Sequence, residues 1–67
     1  MAKAEFSKTL RDWRNGLELF QKEAADKLGV NLRSYQAWEV GEHYPNQFAM
    51  SEILRRMESL SKKLVFA

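Results

Sequence analysis

Gln21-Lys22-Glu23-Ala24-Ala25-Asp26-Lys27-Leu28-Gly29-Val30-Asn31-Leu32-Arg33-Ser34-Tyr35-Gln36-Ala37-Trp38-Glu39-Val40-Gly41 reads as two short helices broken by one turn. Residues 21–28 are rich in alanine, lysine and glutamate, residues of high intrinsic helix propensity. Gly29 follows where a helix end turns left-handed, a conformation glycine adopts without steric cost. Asn31 suits the N-cap of the next helix, which runs to Trp38 or Val40 and is closed by Gly41. Tyr35 and Trp38 share one face of it, and Leu19, Ala25, Leu28 and Val30 are expected to face inward.

Upstream, Phe6, Leu10, Trp13 and Leu17 recur at steps of four, three and four, one face of a helix over residues 4–16. Its end is expected at Asn15-Gly16, with Gly16 in the left-handed cap. Downstream, His43-Tyr44-Pro45-Asn46 reads as a loop, and Asn46 can cap a further helix. Met50, Ile53, Leu54 and Met57 form its apolar face, and Leu60 and Leu64 continue the spacing. The end, Leu64-Val65-Phe66-Ala67, fits either helix extension or a short strand. The fold class expected is all-α: a compact four- or five-helix domain spanning residues 1–67, with a core of 1–58 and a dimerisation tail of 59–67. The two middle helices have the geometry of a helix-turn-helix.

A chain of 67 residues is near the lower limit for folding alone. Its core is too small to enclose a large substrate pocket as well, so an enzyme is not expected. There is no cysteine, which removes disulfides and thiolate chemistry. A single histidine, His43, builds no metal site without a carboxylate cluster, and the carboxylates are scattered. No catalytic residue, metal or cofactor is expected. Lysine and arginine exceed aspartate and glutamate by a net charge of only +2, a weak argument for a polyanion partner on its own. No apolar run is long enough to span a bilayer and no signal-peptide core is visible, so a cytoplasmic location without membrane contact is expected.

The order Leu10-Arg11-Asp12-Trp13-Arg14, Leu19-Phe20-Gln21-Lys22-Glu23-Ala24-Ala25, Leu28-Gly29-Val30-Asn31, Tyr35-Gln36-Ala37-Trp38-Glu39-Val40-Gly41 and Pro45 resembles the lambda-repressor-like helix-turn-helix of the Cro/XRE type. The resemblance covers residues 5–57. It implies a DNA-binding domain whose third helix enters the major groove. On that pattern Leu32, Arg33, Gln36 and Ala37 meet base edges. Arg33 suits guanine O6 and N7, Gln36 suits adenine N6 and N7, and Leu32 suits a thymine methyl. Gln21, Asn31, Ser34 and His43 are the expected phosphate contacts, Gln21 helped by the positive end of its helix. Arg14 and Glu39 are expected to form a structural ion pair, since a planar guanidinium matches a carboxylate fork.

The chain departs from the pattern in places. Phe20 stands where serine or threonine usually caps the second helix, and Glu18 stands where glycine is common. Val40 and Glu42 flank Gly41 where more polar or basic residues often occur. Trp13, Trp38, Phe6 and Tyr35 fall on helical apolar faces and read as core rather than as base-stacking platforms. Leu64, Val65 and Phe66 are apolar at an otherwise polar end and read as a dimer contact, with packing onto the chain's own core as the alternative. The resemblance thus implies a bacterial or phage regulator, a repressor, that binds double-stranded operator DNA as a homodimer. The alternative is an antitoxin-like or other protein-interaction module on the same fold, with weak DNA affinity and a protein partner.

Overall fold

Residues 3–65 are described in a computed structural model. They form α1 (Lys3–Gly16), α2 (Gln21–Leu28), α3 (Leu32–Val40) and α4 (Gln47–Val65). The all-α expectation holds, and among the described residues there is no strand. The C-terminal segment, open between helix and strand in the sequence, continues α4 as helix through Val65. No break separates residues 58 and 59.

The helix ends show why the chain turns where it does. Glycine at the left-handed position ends α2 at Gly29 (φ 70°) and α3 at Gly41 (φ 83°). Behind Gly29, Val30 N–H reaches back to Ala25 O at 3.0 Å, and Glu42 N–H reaches Ala37 O at 3.0 Å behind Gly41. These bonds satisfy carbonyls that a helix end would otherwise orphan. At Gly41 the close approach matters too, because a Cβ there would lie 2.9 Å from Tyr44 Oη.

Helix α1 ends at Gly16, as expected, and the chain reverses by the same motif, but the left-handed residue is not the expected one. Gly16 stays helical, and the left-handed residue is Glu18 at φ 57°. Glu18 N–H bonds Asn15 O and Leu19 N–H bonds Arg14 O, both at 3.1 Å. The reversal falls two residues later because tertiary contacts fix the position of Leu19. That residue packs against the core, and its carbonyl accepts from Arg14 Nη1 at 3.2 Å.

The helix starts differ in quality. Asn31 Oδ1 accepts from Arg33 N–H at 2.8 Å, and Asn46 Oδ1 accepts from Ala49 N–H at 2.8 Å, as their residue types suggest. Phe20 at the N-cap of α2 offers no side-chain acceptor. Only the return half of a capping box is made there, with the Glu23 carboxylate accepting from Phe20 N–H at 2.8 Å.

Phe6 and Leu10 of α1, Ala24, Ala25 and Leu28 of α2, Tyr35 and Trp38 of α3, and Met50, Ile53 and Met57 of α4 form one buried cluster. Small Ala24 and Ala25 let α3 pack against α2, while α1 covers the other side of α3 and α4 leans on α2. Tyr44 pins the loop before α4 to α1, with its ring edge-on to Phe6 at 6.4 Å and its hydroxyl 3.2 Å from Ser7 Oγ. Three polar side chains then tie helix C-termini to neighbouring helices. Ser7 Oγ donates to Trp38 O, Arg11 Nη1 donates to Glu39 O at 2.6 Å, and Arg56 Nη1 donates to Leu28 O at 2.7 Å. Each donor meets the negative end of a helix dipole, where hydrogen-bond donors and cations are favoured.

Candidate nucleic-acid interface

Because Tyr35 and Trp38 are drawn into the core, the opposite face of α3 is left outward. Arg33, Gln36, Ala37 and Val40, at helical spacing, line a shallow groove there with Glu42 and His43. Arg33, Ser34 and Gln36 are exposed, and Ala37 is half-buried. Leu32 is half-buried and packs against the core, so less of its side chain is free than its position at the helix start suggests. Asn31 is exposed but spends its Oδ1 on the cap, leaving its amide nitrogen as the outward donor. His43 is exposed in the loop at the end of the groove.

The Arg14–Glu39 pair lies beneath this face. Arg14 Nε meets Glu39 Oε2 at 2.8 Å, and Nη2 meets Oε1 at 3.1 Å, a two-pronged contact. The side chains are 19% and 3% exposed, so water screens the pair little. Burial by itself would raise the Glu39 carboxyl. The guanidinium of Arg14, the Gln21 amide and the nearby Tyr35 hydroxyl outweigh it and hold the carboxyl below its ordinary pKa. Tyr35 Oη is itself buried near this carboxylate without the geometry of a full hydrogen bond, and burial pushes its pKa up.

Gln21, at the first turn of α2, is half-buried and joins this network. Its Nε2 donates to Glu39 Oε1 at 3.1 Å, and its Oε1 accepts from Gln36 Nε2 at 3.1 Å. The structure therefore brings Gln21, Gln36, Glu39 and Arg14 into one chain of contacts. Neither the Gln21–Gln36 link nor the Arg11 and Ser7 ties is visible as a pattern in the sequence. Arg11 does lie three residues before Arg14, on the same side of α1. Leu64 and Val65 lie on the last turn of α4, but their side chains are outside the described residues, as is Phe66 altogether.

Among the described residues no group of three or more histidines, aspartates and glutamates is placed to hold a metal ion, and no helix is long and apolar enough to cross a membrane. A family model described as Helix-turn-helix matches residues 10–62, which includes α2, α3, most of α4 and the second half of α1. No curated protein and no solved structure matches the chain.

Proposed function

Since the chain belongs to the Cro/C1-type helix-turn-helix family of DNA-binding regulators, we propose that it is a repressor that reads operator DNA by inserting α3 into the major groove. The observation that carries this reading is the outward face of α3. Arg33 and Gln36, both able to bond two base-edge atoms at once, stand exposed side by side on a helix held firmly by its other face. Gln21, Asn31, Ser34 and His43 flank that face and supply phosphate contacts, which set register rather than sequence.

One such unit reads too few base pairs to pick out a site in a genome. The reading therefore includes a homodimer, with Leu64, Val65 and Phe66 at the contact and two α3 helices about one helical turn, roughly 34 Å, apart. Such a regulator acts in the cytoplasm of a bacterium or of a phage-infected cell, with no cofactor. Exposed Phe20, Val40 and Phe48 favour a second reading, a protein-interaction module of antitoxin-like kind with weak DNA affinity.

Selection of binding sites from random duplex DNA separates the two. The repressor reading expects one enriched site. On that site Arg33→Ala should cost roughly 1–3 kcal/mol and relax preference at one base position, with little effect on scrambled duplex. No enrichment by the parent chain, or equal loss by the variant on both duplexes, removes the assignment.

A further inference from the structure

We infer that Arg56 is a positioning residue that fixes the spacing of the two half-sites this protein reads, by holding α4 at one angle to the turn before α3. This rests on the proposed homodimer, in which the end of α4 joins the two copies and each α3 reads DNA.

In such a dimer the separation of the two α3 helices depends on how each α3 is set against its own α4. Helix α3 packs chiefly on α1 and α2, and α4 leans on α2. The setting is therefore carried through α2. The buried anchors of α4 are Met50, Ile53 and Met57. Two of the three are methionine, an unbranched side chain that adapts to small shifts of its neighbours. Apolar burial is also non-directional. Contacts of this kind hold α4 against the core without fixing its angle.

Arg56 supplies the direction. Its Nη1 donates to Leu28 O at 2.7 Å, the carbonyl of the last residue of α2. The turn's own N–H groups go elsewhere, Gly29 to Asp26 O and Val30 to Ala25 O, which leaves Leu28 O to accept from α4. The same Nη1 lies 3.6 Å from where a Cβ on Gly29 would stand, so the guanidinium touches the turn that leads into α3. A charged donor gives a short and strong bond, and a shift of roughly 1 Å breaks it.

The leverage is large enough to matter. Arg56 stands nine residues before Val65, the end of the 19-residue α4. At 1.5 Å per residue, rocking α4 by about 10° at Arg56 moves that end by about 2 Å. Both copies contribute, and the sum is about one base pair of roughly 3.4 Å. A bond at the turn thus decides whether two half-sites one base pair closer or farther apart are read equally well.

The experiment is competition binding to duplexes with two inverted copies of the selected half-site, at spacings one and two base pairs shorter and longer than the selected one. A duplex with a single half-site is measured alongside. Arg56 lies at the surface, so Arg56→Met opens no cavity in the core. Arg56→Gln, too short to reach Leu28 O, is a second variant that loses the bond. Arg55 carries the same charge and bonds Glu52 within α4, so Arg55→Met controls for the lost charge. A rigid dimer loses the gain of engaging both half-sites when the spacing is wrong, so the parent and Arg55→Met should favour one spacing by roughly tenfold or more. Both Arg56 variants should bind the neighbouring spacings within about threefold of the best, because a loose α4 restores that gain. Their binding to the single half-site should equal that of Arg55→Met. A spacing preference in both Arg56 variants as sharp as the parent's overturns the role of Arg56 while leaving the homodimer in place. Weaker single half-site binding in both Arg56 variants than in Arg55→Met also overturns it, because that marks a displaced α3 rather than a loosened α4. A parent chain that sediments as a monomer and binds all spacings alike overturns the homodimer, and the role of Arg56 with it.

Discussion

Removing the charge at Glu39 would leave Arg14 with a guanidinium that is only 19% exposed and no carboxylate to face. Breaking a buried pair from one side costs about 3–5 kcal/mol, a large share of what a domain of this size has in hand. Glu39→Gln should therefore lower the melting temperature steeply, and a melt that superimposes on the parent would show that the pair contributes nothing. The same residue gives a pH dependence. The folded carboxyl titrates below its ordinary value, so between the two values the unfolded chain binds more protons. Its contribution is complete above about pH 4.3 and is lost as pH falls through the folded value. Acid titration followed by circular dichroism should show this loss in the parent, and a smaller loss in Glu39→Gln.

The helices differ in how well their ends suit them, and two substitutions should improve α1 and α2. At Glu18 a residue with a Cβ sits at φ 57°, where the left-handed conformation costs roughly 1–2 kcal/mol. Glu18→Gly relieves that strain but adds freedom to the unfolded chain, so a net gain of about 0.5–1 kcal/mol is expected. Phe20 is 78% exposed and caps nothing, so little packing is lost when it is replaced. Phe20→Ser supplies the missing half of the capping box with Glu23, for a gain of about 1 kcal/mol. Denaturant midpoints of both variants above the parent's are the expected outcome. A lower midpoint for Glu18→Gly would mean that the Glu18 side chain contributes more than its strain costs.

At the scale of the whole molecule, the apolar cluster is assembled from residues between Phe6 and Met57, and Leu60 adds to its edge. Deleting residues 64–67 should therefore leave the helical fold intact. If the tail joins two copies, the truncated chain should sediment as a monomer and lose cooperative binding to a palindromic site, while keeping weak binding to one half-site. Intact and truncated chains that sediment alike and bind the full site with the same steepness would assign the tail to the chain's own core.

The helices and their order were legible in the sequence because periodicity and caps are local properties. Phe6, Leu10 and Trp13 mark one helical face, Asn31 and Asn46 carry their own cap acceptors, and Gly29 and Gly41 stand where only a positive φ continues the chain. The Arg14–Glu39 pair was legible through the family pattern, since spacing alone does not say which carboxylate an arginine meets. Tertiary structure decided the rest. It moved the left-handed residue that follows α1 from Gly16 to Glu18, because Leu19 had to reach the core. It half-buried Leu32, and it brought Gln21 within hydrogen-bond distance of both Glu39 and Gln36. Those contacts join residues 15 and 18 positions apart on different helices, and their geometry is fixed by how closely α2 and α3 pack. No local rule of sequence encodes that distance, so side chains that act through one another are found only when the helices are in place.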